Sequence, residues 1–273
     1  MRRLGGIELG GTKVRCAIGG GPDSVEATAY IPTTDPETTL AQVVEFFGSH
    51  PLPDGIGVGC FGPLDLVAGR ILQTPKPGWS GVDVGALLAK IGVPIVLDTD
   101  VAAALTGERI WGAGQGVERL AYITVGTGIG ATGGAGATAH PEVGHVPIPR
   151  EPNDPLSRGI CPFHPDCLEG WASGPSLWAR WGDPSVLAED HPAWDLQARY
   201  LAQGLRSIAL SLAPQRILVG GGVGLRPGLV ERIHPFLDEV MGGYGGFGAS
   251  SEWVQVAALG EDAGLLGAMG LVR

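Results

Sequence analysis

Four side chains near the middle of the chain, His145, Cys161, His164 and Cys167, are of the kinds that ligate transition metals, and three of them follow C-x-x-H-x-x-C spacing. Two thiols and two imidazoles suit zinc, which structural sites hold as a tetrahedron. The segment 147–165 around them carries six prolines and reads as a loop without regular pairing. A structural Zn²⁺ with all four positions filled by protein would supply the missing cross-link. Asp98 and Asp100 are a second candidate, since they end an apolar run, Val93–Leu97, ahead of an alanine-rich stretch. A carboxylate at the end of a buried strand is placed to take a proton from a hydroxyl attacking a phosphoryl group. Aspartate is equally a preferred helix N-cap, so the residues alone leave both uses of Asp100 open. Third, Gly10-Gly11-Thr12-Lys13, Gly126-Thr127-Gly128-Ile129-Gly130 and Gly220-Gly221-Gly222-Val223 each follow an apolar run. Backbone amides in such turns can converge on a phosphate. Any one could be a plain tight turn, and no Walker A pattern is present. Three of them, spread over both halves, suggest a nucleotide.

The elements that must position these groups are legible in the periodicity. Leu4–Leu9 and Lys13–Ile18 read as a hairpin with glycines at its tip. Glu26–Ile31 follows as a strand. Asp35-Pro36 opens a helix whose apolar face is Leu40, Val43, Val44 and Phe47. Gly55–Cys60 and Val93–Leu97 are buried strands, and Val101–Trp111 is a helix. Gly112–Gly116 reads as a hinge. The opening layout then repeats, with strands at Leu120–Val125 and from Ile129. Helices are expected over Ala193–Leu212, Pro227–Val240 and Asp262–Leu271, with a strand over Gln215–Val219. The fold class is α/β with two halves, each opening on a hairpin.

Composition narrows the function. The chain has 273 residues, 44% of them hydrophobic and 17% charged, enough for a real core. Its net charge of −10 and its three lysines, Lys13, Lys76 and Lys90, disfavour nucleic-acid binding. No run is apolar enough to cross a membrane. The opening residues lack a signal-peptide core, so a cytoplasmic location is expected. Cysteines are then thiols or metal ligands, and Cys16 and Cys60, inside buried strands, read as small core residues.

The three glycine turns resemble the two phosphate loops and the adenosine loop of the superfamily of sugar kinases, actin and heat-shock ATPases. Pro141-Glu142-Val143-Gly144-His145, the segment from Cys161 to Glu169, and Thr74-Pro75-Lys76-Pro77-Gly78-Trp79 sharpen the match. Over nearly its whole length the chain resembles the ROK family of bacterial sugar kinases. With Glu8 where Asp is usual, and Cys-Pro-Phe-His where Cys-x-Cys-Gly is commoner, it resembles the fructokinase branch.

That resemblance implies a two-lobed actin-like ATPase (ribonuclease H-like) fold, each lobe a mixed sheet flanked by helices. The lobes would be 1–112 and 113–260, with 261–273 packing back on the first. It implies ATP-dependent phosphorylation of a hexose 6-hydroxyl, fructose first, with Asp100 as general base and closure about the hinge. Gly10, Gly11, Thr12, Lys13, Gly126, Thr127, Gly128, Gly220, Gly221, Gly222 and Val223 would hold ATP. Gly62, Pro63, Lys76, Trp79, Glu142, His145 and Glu169 would face the sugar, although Lys76 could be an ordinary surface lysine and Trp79 plain packing. His145, Cys161, His164 and Cys167 would hold Zn²⁺, and Glu8 is the carboxylate for Mg²⁺. A homodimer is the family's usual state. Two features depart from the pattern: Ala102 stands where relatives have Asn, and 131–140 is short. A glucokinase or mannokinase, or an inert sugar sensor, are the rivals. A DNA-binding repressor of the same family would need a helix-turn-helix ahead of a first strand that begins by Leu4.

Overall fold

The computed structural model describes residues 2–133 and 141–273. They form two compact units, 2–115 with 262–273, and 116–133 with 141–261. The short segment of 131–140 falls largely outside the described residues.

The first unit runs β1 (Leu4–Leu9), β2 (Lys13–Gly19), β3 (Val25–Pro32), α1 (Pro36–Gly48), β4 (Gly55–Cys60), the two-residue strands β5 (Leu64–Asp65) and β6 (Arg70–Ile71), α2 (Val84–Leu88), β7 (Ile95–Thr99) and α3 (Asp100–Trp111). Its sheet order is β3-β2-β1-β4-β7. The first three strands are antiparallel, and β1, β4 and β7 are parallel. Every residue of β4 is buried, as a central parallel strand covered on both faces requires. Helix α1 starts where Asp35 Oδ1 accepts from Thr38 N at 2.9 Å, and it buries Leu40, Val43 and Phe47 against Ile56, Val58 and Trp79.

Several boundaries move by one or two residues from the sequence expectation, and one shift matters for chemistry. The strand expected at Val93–Leu97 occupies Ile95–Thr99. Pro94 has no amide for the ladder, and its carbonyl instead accepts from Ile56 N at 2.9 Å. Asp98 is therefore inside the strand and Asp100 opens the helix. The helix expected from Pro227 begins at Leu229, because Gly228 sits at φ +77°.

The second unit runs β8 (Leu120–Val125), β9 (Ile129–Gly133), α4 (Leu168–Ala172), α5 (Gly174–Trp181), α6 (Ala193–Leu212), β10 (Arg216–Gly220), α7 (Gly221–Gly224), α8 (Leu229–Met241), α9 (Ser250–Trp253) and β11 (Val254–Val256). Its sheet order, β11-β10-β8-β9, repeats the plan of a hairpin flanked by parallel strands. The last helix, α10 (Ala263–Gly270), belongs to the first unit and packs on α3, β1 and β4. It sits close: a Cβ on Gly267 would lie 1.8 Å from Ala103 O, and one on Gly107 would lie 2.9 Å from Gly267 Cα. Backbone thus meets backbone where side chains would hold the helices apart.

Candidate functional site

In the first unit, three parallel strands end in one row. The register Leu9↔Cys60↔Thr99 sets Gly10, Phe61 and Asp100 side by side at their C-terminal ends, the edge where open α/β sheets gather ligands. The first glycine turn closes with Gly10 N donating to Lys13 O at 3.0 Å. Gly11 has open space where a side chain would be, with nothing within 4 Å of a Cβ, so an anion can approach its backbone. Lys13 is exposed, its ammonium 5.5 Å over the Tyr30 ring.

The structure separates the two uses of Asp100. Thr99 is the N-cap of α3, its Oγ1 accepting from Ala102 N at 3.2 Å. Capping therefore does not need Asp100, which lies in the first turn, half-buried, with Oδ1 accepting from Val101 N at 2.8 Å. The neighbouring Cys60 thiol is pushed well above its ordinary range, by burial first and then by the Asp100 charge. Asp98 Oδ1 accepts from Thr99 N at 2.8 Å. The register Glu8↔Gly59↔Asp98 puts both acids on one face of the sheet, with Gly59 between them and the Ala103 methyl packed over it. Glu8 lies 3.4 Å from the Arg15 guanidinium and directly beneath Gly264.

Gly62 and Pro63 follow β4 through a cis peptide, and Pro63 O accepts from Leu72 N at 2.8 Å. Lys76 Nζ donates to Thr33 O at 3.0 Å, so this lysine is anchored and not loose on the surface. Trp79 is the most buried of the residues expected on the sugar side. Its ring is fully buried against Phe61, and its Nε1 donates to Thr34 O at 2.8 Å. That is packing, and it holds the 74–79 loop from inside. The expected hinge begins as a clasped turn: Ala113 N donates to the Oε2 of buried Glu108 at 2.8 Å, and Gly112 N and Gly114 N both donate to Glu108 O.

In the second unit, the other two glycine turns lie beside each other, because parallel pairing sets Thr124 against Gly220. Gly220 ends β10, and Gly221, at φ +81°, starts the single helical turn α7. A Cβ on Gly222 would meet nothing within 4 Å, leaving that backbone open. Gly126–Gly128 is gripped from α4 and α5. Gly174 N donates to Gly126 O at 2.7 Å, and the Glu169 carboxylate accepts from Ile129 N at 3.0 Å. Glu169 thus spends one oxygen on the turn. Glu142 is exposed, with its carbonyl accepting from His145 N at 2.9 Å.

His145, Cys161, His164 and Cys167 come together with their donor atoms all within 4.8 Å of one another. His145 Nδ1 is 3.7 Å from each sulfur. A tetrahedral ion with bonds of about 2.3 Å to sulfur and about 2.0 Å to nitrogen has S···N edges of about 3.5 Å, so the set fits such an ion. Burial lifts the Cys167 thiol to about 12, with the neighbouring Cys161 and Glu169 adding to the effect; a bound cation reverses this and holds thiolates. Cys167 also caps α4, its Sγ accepting from Gly170 N at 3.3 Å.

One cluster escaped sequence reasoning. Asp154 and Arg180 form a bidentate pair at 2.8 and 2.7 Å with side chains 0% and 1% exposed. Tyr200 donates to the same carboxylate at 2.6 Å. The proline-rich loop is fixed there at Asp154. Asn153-Asp154-Pro155 reads locally as a turn, and its partners lie 26 and 46 residues away; no local signal marks them.

Among the described residues, no helix is long and apolar enough to cross a membrane. The ROK family model matches residues 4–273. A fructokinase of Pediococcus pentosaceus is 35% identical, over 99% of this chain and 97% of its own. One of Zymomonas mobilis subsp. mobilis is 37% identical, over 98% and 95%. The crystal structure of a ROK hexokinase from Thermus thermophilus superposes with TM-score 0.77 at 27% identity, covering 98% of this chain and 97% of that one. Matched along its length by family model, curated relatives and fold alike, the chain belongs to the ROK family.

Proposed function

We propose that the protein transfers the γ-phosphoryl group of ATP to the 6-hydroxyl of a hexose, D-fructose first, with Asp100 as general base. The observation that carries this reading is the place of Asp100. Its half-buried carboxylate is released from capping by Thr99 and stands in one row with the first glycine turn. The near full-length likeness to two fructokinases supports fructose over other hexoses. Asp100 accepts the hydroxyl proton as the oxygen attacks, which lets a neutral alcohol serve as nucleophile. The open backbones at Gly11 and Gly222 offer amides to phosphate oxygens. Lys76, Glu142, His145 and the second oxygen of Glu169 are the groups proposed for the sugar. Bound Mg²⁺ would neutralise charge on the phosphates. Glu8 is the carboxylate proposed to hold it, and an ion that keeps most of its waters suits an acid shared with Arg15. His145, Cys161, His164 and Cys167 are proposed to hold a structural zinc, consistent with the donor set and its spacing.

The test is ADP release with Mg-ATP and fructose, glucose or mannose, in the wild type and in Asp100→Asn. Fructose should stimulate most, and the variant should lose about 10²–10⁴ in kcat while binding Mg-ATP as before. Greater stimulation by glucose or mannose would replace the sugar and keep the mechanism. Near-wild-type turnover of Asp100→Asn would reject the base.

A further inference from the structure

Thr33 lies just beyond β3, buried, and makes three bonds to two different loops. Its amide donates to Thr12 O at 3.0 Å, and its hydroxyl donates to Gly10 O at 2.8 Å. Its own carbonyl accepts the Lys76 ammonium at 3.0 Å. The first two bonds hold the carbonyls on either side of Gly11. In a trans peptide the carbonyl and the next amide point in opposite directions. Pulling Gly10 O onto the Thr33 hydroxyl therefore turns the Gly11 amide away from Thr33, and at Gly11 itself nothing lies within 4 Å of a Cβ, so a ligand can come close to that backbone. Glycine has no side chain to set that peptide's orientation, and both φ and ψ are soft there. The Thr33 hydroxyl replaces what a side chain at position 11 would otherwise do.

We propose that Thr33 is a positioning residue for phosphate binding: it pre-aims the Gly11 amide and ties that turn to the loop of Lys76. The inference rests on the kinase reading and adds to it a residue outside every motif named above. A hydroxyl–carbonyl bond of this kind has a net worth near one order of magnitude in an equilibrium constant. Pre-organisation places that gain on nucleotide affinity and not on the sugar.

Thr33→Val keeps shape and both backbone bonds and removes only the hydroxyl. Thr34→Val is the control, because that hydroxyl faces Thr39 Oγ1 at 3.3 Å and does not touch the turn. Mg-ATP binding to the whole protein should be titrated calorimetrically for the wild type, both valine variants and Thr33→Ser, beside their melting temperatures. Thr33→Val should raise Kd roughly five- to tenfold. Thr33→Ser should restore it, Thr34→Val should leave it within about twofold, and the hexose KM of Thr33→Val should stay near wild type. A Thr33→Val Kd within twofold of wild type would overturn the inference and leave the kinase reading intact. Equal weakening in both valine variants, tracking their melting temperatures, would reduce Thr33 to a structural role and overturn it too. A wild type that binds no Mg-ATP would end the kinase reading, and this inference with it.

Discussion

Asp154 and Arg180 keep their charges out of water because each polar atom of the pair has a partner: the fork of Arg180, the Tyr200 hydroxyl, and Leu156 N at 2.8 Å on Oδ1. Burial alone would raise the carboxyl's pKa. The hydrogen bonds from Arg180, Tyr200 and Leu156 outweigh it, and Asp154 titrates below its ordinary value. Burial and the bond to Asp154 push the Tyr200 phenol up. The sign for stability follows. A depressed carboxyl contributes fully above its unfolded pKa of about 3.9 and loses that contribution as pH falls through the lower folded value. Asp154→Asn leaves the guanidinium short of a counter-charge, and breaking a buried pair costs about 3–5 kcal/mol. Urea unfolding between pH 3 and 7 should therefore show that deficit at neutral pH, with the variant's curve flatter than wild type below about pH 4. An unchanged midpoint at pH 7 would mean that the loop relaxes around the lost charge.

At the scale of elements, the proline-rich loop joins two clusters of side chains, the candidate metal ligands His145, Cys161, His164 and Cys167 and the Asp154 cluster. The backbone bonds Ile148 N to Asp166 O at 3.0 Å and Leu168 N to Val146 O at 3.0 Å close its base. On the proposed zinc reading, chelation, or Cys161→Ser, should release one equivalent of metal by elemental analysis and open 147–167 to limited proteolysis. The helices of the second unit should stay protected from hydrogen exchange. Full protease resistance after complete metal loss would make the Asp154 cluster sufficient alone. Strands and long helices were legible because their apolar spacing is local: β1, β2, β4 and α6 stand within a residue of where the pattern puts them. The metal ligands were legible because residue type and short spacing carry the chemistry. Helices α4 and α5 were not, since Leu168–Trp181 is broken at Ser173 and held by the partners of Glu169 and Gly174. Thr33 was invisible for the same reason: a buried threonine after a strand has no local mark, and its role exists only once the Gly10 turn is folded against it.

The two units differ in how the chain supplies them. The second is one continuous stretch, 116–261, apart from the residues not described, whereas the first needs 262–273. Leu265, Leu266, Met269 and Val272 are at most 7% exposed. Burying such side chains contributes about 1.5–3 kcal/mol each. Those four alone match the ~5–15 kcal/mol net stability of a whole domain. A chain ending at Gly260 should lose hydrogen-exchange protection in β1 and β4 while β8 and β10 keep theirs. Retained protection in β1 would show that the first unit closes without α10. The return of α10 also sets an order on biosynthesis. The segment that completes the core beneath β1 is made some 250 residues after β1 itself, as the sequence places them. Strands β8 and β10 of the second unit are both made before that segment. The first unit must wait, with the glycine faces that receive α10 left bare, until residue 270 has cleared the ribosome, and during that interval it is the part of the protein that chaperones would meet.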